Sequence, residues 1–260
     1  AFAEELAFVW LTPAQDRLFV EGAGERRRFL DRMTLAHDAA HARAASDYET
    51  AMRQRQRLLD ERSRDEAWLD ALERAMAEAG VAVAAARRST AGALAAAAVS
   101  GEDHAFPAAD IALEGELEAA LAYAPAADVE DEFAARLKAG RRADAEAGRA
   151  LVGPHRSDFL VAHRANGRAA RLCSTGEQKA LLIGLVLANA RALALRARAA
   201  PLILLFDEIA AHLDEDRRAA LYDIVDRLAF PGFMTGADRT LFDAWGDRAQ
   251  HFTVEAGGVA

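Results

Sequence analysis

The sequence predicts an α/β protein in which a mainly parallel sheet is built late in the chain and a mostly helical region stands before it. Two observations carry this expectation. After residue 149, short apolar runs of strand length alternate with helical stretches, the pattern of a parallel sheet with crossover helices. Between about residues 21 and 148 alanine is abundant, aromatics are few and apolar positions recur at helical spacing. The 260 residues are 52% hydrophobic and 28% charged, a globular balance with enough chain for one large or two modest domains.

The elements follow in order. Phe8–Thr12 reads as a short buried strand closed by Pro13. Glu25 to Leu35 reads as a helix that opens with the basic cluster Arg26, Arg27 and Arg28. From His41 to about Arg64, Tyr48, Met52, Leu58 and Leu59 mark a helix. Trp68, Leu69, Leu72, Met76 and Ala79 mark a second, with Ser63 and Glu66 as its expected capping box. Residues 80 to 148 read as mostly helical, with breaks near Ser100–Gly101 and Pro125 and an acidic amphipathic helix over Glu114–Tyr123. Asp158–His163 alternates like a strand, and Asn166-Gly167 is a hairpin turn to a short partner. A helix follows Thr175, a strand covers Leu202–Phe206 and a helix runs from about Glu215 to Ala229. Phe233–Thr235 is the next strand, Thr240–Trp245 a short helix and His251–Val254 a last strand.

Charge and cysteine usage narrow the function classes. The net charge of −9 argues against nonspecific nucleic-acid binding by the whole surface. It is uneven: Arg17 to Arg64 holds 11 basic and 8 acidic residues, a balance of +3, and Gly101 to Leu160 holds 13 acidic and 6 basic, a balance of −7. A polyanion is therefore expected at the first region. Cys173 is the only cysteine, so no internal disulfide forms, which fits a reducing cytoplasm. The apolar run Ala180–Ala190 is too short to span a bilayer, and no membrane partner is expected. The chain opens without a Met directly into a strand-like pattern, so it is expected to begin inside a domain.

Three short stretches carry chemistry. CSTGEQKALLIGL, from Cys173, joins a polar turn to an apolar helix; Ser174 and free N–H groups at a helix start are an anion site, and Gly176 admits close backbone approach. Taken alone, an ordinary helix cap, Ser174 or Thr175 with Glu177 or Gln178 following, is the simpler reading. PLILLFDE, from Pro201, ends an apolar strand in Asp207 and Glu208, at the end of a parallel strand where ligands collect. There Asp207 suits magnesium and Glu208 an attacking water, although a turn-capping aspartate is the simpler reading of the first. Asp214, seven residues on in AAHLDEDRR, reads as a helix cap that also reaches a subunit interface. The order and spacing of all three describe an ABC-type ATPase site. No G-x-x-x-x-G-K-[ST] occurs, so the chain holds no phosphate-cradling loop of its own.

Over essentially its whole length the chain resembles the RecF family of ABC-type ATPases. WLTPAQDRLFVEGAGERRRFLD (Trp10–Asp31) resembles that family's early motif, and LVGPHRSDF (Leu151–Phe159) its G-P-H-R segment. CSTGEQKALLIGL resembles its signature, and LLFDEIAAHLDEDRRAAL (Leu204–Leu221) its joined Walker B and D-loop. The resemblance implies an ABC-type P-loop ATPase lobe, incomplete because the Walker A part is missing, with an inserted mostly helical lobe. The expected division is 1–20 as remnant of the ATPase lobe, 21–148 as helical lobe and 149–260 as the part with signature, Walker B and D-loop.

It further implies a DNA repair and replication protein that binds gapped, single- and double-stranded DNA and ATP. Such a protein dimerises with ATP, is a slow DNA-dependent ATPase and works with RecR and RecO type proteins. Residue by residue, Ser174, Gly176 and Gln178 would meet the nucleotide of the other subunit. Asp207 would serve Mg2+, Glu208 the attacking water, and Asp214 the interface. Gln15 lies near the counterpart of the Q-loop. The DNA-contact candidates are Arg26, Arg27, Arg28, Arg53, Arg55 and Arg57, a cluster that reads equally as a solvated helix face beside Asp31, Glu49 and Asp60.

Two departures stand out: no switch histidine follows the strand after Walker B, leaving Thr235 or Asp238 in its place, and Ala14 stands where an acid is expected. His155 and Arg156 are left open between pairing with an acid, orienting the signature and touching DNA, while His37, His41 and His104 lack metal-ligand spacing. The competing readings are a chromosome-structural ATPase of SMC type, for which residues 40–100 are too short an arm, a transporter ATPase subunit, and an interaction fragment without ATP turnover. The last is the behaviour expected of this chain alone.

Overall fold

The computed structural model describes residues 6–63, 65–99, 105–196, 201–255 and 258–259. Strand β1 (Ala7–Leu11) leads into helices α1 (Ala23–His37), α2 (His41–Asp60) and α3 (Glu66–Val99). Strand β2 (Ala109–Glu114), helices α4 (Glu116–Ala120), α5 (Ala126–Ala139) and α6 (Arg141–Ala147), and hairpin strands β3 (Asp158–His163) and β4 (Arg168–Ala169) follow. Helix α7 (Thr175–Ala194), strand β5 (Leu202–Phe206), helix α8 (Glu215–Leu228) and strand β6 (Gly232–Met234) complete an α/β unit, and the short strands β7 (Val254–Glu255) and β8 (Gly258–Val259) end it.

Three strands form a parallel sheet in the order β1-β5-β6, with Ala7 opposite Leu202, Leu11 opposite Phe206 and Phe206 opposite Met234. β2, β3 and β4 form a separate antiparallel sheet, in which Ala109 faces His163 and Glu114 faces Asp158. α7 is apolar on nearly every side, and Leu181, Leu182, Ile183, Leu185, Val186 and Leu187 are all buried, as a helix enclosed by other elements requires. It packs against β1, α3 and α8. The run Leu202–Phe206 is apolar at every position, as suits a central parallel strand covered on both faces. It is central, but only Leu202, Leu204 and Phe206 are buried, while Ile203 and Leu205 on the other face are half-exposed. No described helix covers that second face.

Two large hydrophobic cores, with a small alanine cluster between α3 and α7, form among the described residues. One joins the parallel sheet, α7 and α8 to Phe29, Leu30 and Met33 of α1 and Phe159 of β3. The other packs Tyr48 of α2, Met76 of α3 and Phe133 and Leu137 of α5. α1 therefore packs with the first core, although the sequence places it beyond residue 21 with the helical region. Gly80 lets α3 approach closely: a Cβ there would stand 3.0 Å from the Phe133 ring and 3.1 Å from the Tyr48 ring.

Other expectations change in detail. Ser63 does not cap α3; its hydroxyl accepts from Asp65 N–H (3.2 Å), and the Asp65 carboxylate accepts from Trp68 N–H (2.9 Å). α3 runs on without pause to Val99, a single helix of 34 residues and about 50 Å. Residues 109–114 are strand rather than helix because they pair with β3. The acidic helix expected over Glu114–Tyr123 shrinks to Glu116–Ala120, since Gly115 is extended at φ −164°. The expected break near Ser100–Gly101, Arg64 and His104 lie outside the described residues.

A polar joint binds the two cores. The Arg87 guanidinium on α3, almost fully buried, donates to both Asp31 oxygens (2.7 and 2.8 Å), to Pro154 O (2.6 Å) and to Ser157 Oγ (3.0 Å). His41 Nε2 bonds the same Asp31 carboxylate at 2.9 Å. Tyr48 OH meets His155 Nδ1 at 2.7 Å, and His155 Nε2 meets Ala150 O at 3.0 Å, so His155 is a structural link that burial keeps neutral by lowering its pKa. Gly153 adopts φ +131°, and a Cβ there would lie 2.2 Å from Tyr48 OH. Burial alone would raise the Asp31 pKa, but hydrogen bonds from His41 and Arg87 outweigh it and hold the group at about 2.

A depressed carboxylate stabilises the fold fully above its unfolded range and loses that contribution as pH falls through its folded value. Asp31→Asn is therefore expected to lower stability at pH 7 by about 2 kcal/mol and to flatten the loss of stability between about pH 4 and pH 2. Urea unfolding across that range checks both.

Candidate nucleotide and DNA sites

β5 delivers Asp207 and Glu208 to the carboxyl end of the parallel sheet, and β6 delivers Thr235 beside them. The ladder continues past the strands: Asp207 N–H donates to Leu11 O (2.9 Å), Thr235 N–H to Phe206 O (2.9 Å) and Glu208 N–H to Thr235 O (3.2 Å). The Thr235 hydroxyl donates to Asp207 Oδ1 and accepts from Glu208 N–H (3.2 Å). Glu208 sits in the left-handed region at φ 51°, ψ 21°. A residue with a Cβ is there at a cost of about 1–2 kcal/mol, and such strain concentrates where a side chain must be aimed. Asp207 and Glu208 are both exposed. Of the two candidates for the missing switch histidine, Thr235 is in contact with this pair. Asp238 caps the next 3-10 turn, accepting from Thr240 N–H and Oγ1 (both 2.9 Å).

Ser174 is the N-cap of α7. Its Oγ accepts from Glu177 N–H (3.3 Å) and donates to Glu177 Oε2 (2.8 Å), which also accepts from Ser174 N–H (2.7 Å). These bonds hold the Glu177 carboxyl below its usual pKa. Nothing lies within 4 Å of a Cβ built on Gly176, so the face above it is open. Gln178 is buried and its amide donates to Cys173 O (2.9 Å), which fixes the turn rather than exposing the side chain to a ligand. Asp214 caps α8, accepting from Arg217 N–H (2.8 Å). Gln15 closes the turn after β1, its Oε1 accepting from Thr12 N–H (2.8 Å), and the neighbouring Asp16 pairs with buried Lys179 (3.2 Å). Among the described residues no hydrogen bond or ion pair joins Ser174 or Gly176 to Asp207 or Glu208.

An apolar cleft of about 410 Å3 opens over the uncovered sheet face, between Phe8 and Trp10 of β1, Leu205 of β5 and Phe233 of β6, and reaches Asp207 and Thr235. Among the described residues no group of three His, Cys, Asp or Glu side chains is placed to hold a metal ion. Magnesium needs no such cage, since one or two carboxylates together with substrate phosphates hold it, and the Asp207 carboxylate at a strand end fits that role.

The arginine candidates separate sharply. Arg55 is corrected: it is 1% exposed, donates to Glu73 (2.9 Å), Asp144 (2.6 Å) and Leu137 O (2.6 Å), and no DNA reaches it. Arg26 is bound at both ends of its fork to Asp158 (2.8 and 2.7 Å). Arg28, Arg53 and Arg57 are exposed and pair with Glu25 and Glu49 on their own helices and with Glu61 just past the end of α2. Arg27 makes no ion pair among the described residues. Its guanidinium donates to Ser157 O (2.6 Å), and burial, with Arg87 and Arg156 nearby, lowers its pKa. Arg156 is exposed and likewise makes no ion pair among the described residues. It is the cation that the sequence left unassigned, and its place in the turn beside Ser157 brings it next to Arg27.

No protein-family model matches the chain. Curated proteins do. Over 257 residues it is 53% identical to the DNA replication and repair protein RecF of Rhizobium rhizogenes, covering 98% of this chain and 68% of that protein. The RecF of Mesorhizobium japonicum is 54% identical over the same shares. The chain belongs to the RecF family. The RecF of Brucella abortus is 54% identical over 251 residues, 96% of this chain and 65% of that one. Two solved structures of the recombination mediator protein RecF in the RecFOR pathway, as RecF-ATPrS and as RecF-ATP, share the fold. Their TM-scores are 0.77 and 0.76 at 21% and 20% identity, and each match covers 98% of this chain and 67% of the other. The fold is thus that of a RecF-type ABC ATPase lobe. No described helix is long and apolar enough to cross a membrane.

Removing Arg55 would leave Glu73 and Asp144 buried without their cation. Arg55→Ala is expected to cost about 3–5 kcal/mol in a denaturant melt. Arg27→Ala loses one part-buried hydrogen bond, to Ser157 O, and is expected to cost only about 1 kcal/mol in the same melt.

Proposed function

We propose that this RecF-family chain supplies the signature, Walker B and D-loop portion of an ATP site that closes between two copies of a DNA replication and repair protein. The observation that carries this reading is the knot of Asp207, Glu208 and Thr235 at the end of β5, with a strained glutamate aimed outward from it. Two surfaces divide the work: the sheet with α7 and α8 handles nucleotide, and the face where α1 meets the Pro154–Arg156 turn, beside the helical lobe, carries DNA. The uncovered sheet face is where we place the layer bearing the phosphate-cradling loop, since parallel sheets are covered on both faces.

Asp207 would hold Mg2+ and, with it, the ATP phosphates; when bound, the metal supplies the charge neutralisation that phosphoryl transfer needs. The Glu208 carboxylate orients the attacking water and accepts its proton. Thr235 holds the Asp207 carboxylate and the Glu208 backbone in place. Ser174 Oγ, which donates to Glu177 in this structure, redirects that proton to a phosphate oxygen of the facing copy, and Gly176 lets the helix start come close. Asp214 caps α8 and stands at the copy-to-copy boundary. Gln178 acts by holding the Cys173 turn.

DNA, gapped, single- or double-stranded, is gripped through its phosphates, with Arg27 and Arg156 in the lead. ATP binding makes the dimer, slow DNA-dependent hydrolysis releases it, RecR and RecO type proteins are the partners, and the compartment is the cytoplasm. This chain alone, without a phosphate-cradling loop, turns over no ATP.

In the protein at the full length of its relatives, Glu208→Gln is expected to lower steady-state ATPase by about 100-fold or more and to hold an ATP-bound dimer on DNA. Undiminished turnover in that variant contradicts the role given to Glu208.

A further inference from the structure

A second cavity, of about 550 Å3, lies between α7 and α8 beneath the segment that leads into β2. It shares no lining residue with the cleft at Asp207. Its volume suits a small organic ligand. One wall is apolar: Phe106, Pro107, Leu187 and Ile224 line it, and Gly184 keeps it open beside Pro107 O. The other wall is basic, with Arg164, Arg191, Arg217 and His163.

Arg164, Arg217 and His163 have donor capacity left over. Arg164 uses Nε on Asp110 (2.7 Å) and Nη2 on Ala109 O (3.2 Å), and its Nη1 has no hydrogen-bond partner among the described residues. Arg217 Nη1 stands 3.7 Å from Asp214 Oδ2, an ion pair too long to be a hydrogen bond. His163 Nδ1 is buried without a partner. The lining contains one carboxylate, Glu177, and its Oε2 is already engaged by the N–H and hydroxyl of Ser174. Guanidinium forks facing an apolar wall match a ligand with an anionic head and an apolar body, and the planar fork is matched to phosphate.

We propose that this cavity binds a small organic phosphate, its phosphate group on Arg164 and Arg217 and a body of about nucleoside size against Phe106, Leu187 and Ile224. An occupant would touch both the first turns of α7, where Ser174 is capped, and the first turn of α8, where Asp214 is the cap. The site thus lies behind both elements placed at the copy-to-copy boundary. It does not depend on the ATPase reading, and the chain has no phosphate-cradling loop to compete for the ligand.

AMP titrated into this chain by isothermal calorimetry tests the site, with inorganic phosphate and adenosine as separate titrants. Saturable binding of AMP at one site is expected, about tenfold weaker in Arg164→Gln and in Arg217→Gln, with phosphate and adenosine each at least about tenfold weaker than AMP. Ala165→Glu places a carboxylate at the exposed mouth without disturbing the core, and is expected to abolish binding with the circular dichroism unchanged. Absence of AMP saturation, affinity unchanged in all three variants, phosphate binding as tightly as AMP, or loss of AMP binding in Ser174→Arg alone would each overturn the proposal.

Discussion

The parallel pairing of β5 on both its edges is the constraint on which the candidate site depends. Its register with β1 and β6 brings three chain segments to one edge of the sheet, and the backbone ladder runs beyond the strands to Asp207, Glu208 and Thr235. A glutamate at φ 51° would relax in an isolated turn. Here its N–H is held by the Thr235 carbonyl and hydroxyl, and the same hydroxyl ties down Asp207. Fold and strain are therefore linked: the sheet holds the glutamate in the conformation that aims it.

The joint around Arg87 does for the two cores what β5 does for the sheet. A buried guanidinium contributes little net stability on its own, because desolvation offsets its ion pairs, but it strongly penalises any arrangement that leaves it unpaired. With Asp31 on α1, Pro154 and Ser157 on the G-P-H-R segment and Arg87 on α3, the relative placement of helical lobe and nucleotide lobe becomes specific. That segment continues directly into β3 and the hairpin that precedes Ser174. The joint thus gives a short polar connection between the helices around Arg87 and the turn at Ser174.

Much of this was legible in the residues. Leu202–Phe206 falls where an apolar run ends in two acids, and the hairpin turns at Asn166-Gly167 with Gly167 at φ +65°, as an Asn-Gly pair predicts. The helix after Thr175 begins at its serine cap. What was not legible depended on distant partners. β2 hides in an alanine-rich stretch, and only its pairing with β3, about fifty residues on, makes it a strand. Arg55 reads as one more surface arginine, because the carboxylates that bury it stand 18 and 89 residues away. Thr235 was one of two candidates until the β5–β6 register set it beside Asp207. The left-handed Glu208 carries no sequence signal at all, since glutamate has no preference for that region.

One face of the parallel sheet, with Trp10, Leu205 and Phe233, remains open to solvent, and this chain spans about two thirds of the length of its RecF relatives. Arg32 lies over the Trp10 ring at 4.6 Å and shields only one end of that face. A nucleotide site built from Ser174 on one copy and Asp207 and Glu208 on another demands that two copies meet when ATP binds. Sedimentation velocity of the protein at its relatives' full length, with and without ATP and magnesium, measures this directly. A shift from monomer to dimer only with ATP, abolished by Ser174→Arg, is the expected result; a protein that binds ATP and stays monomeric contradicts a site shared between copies.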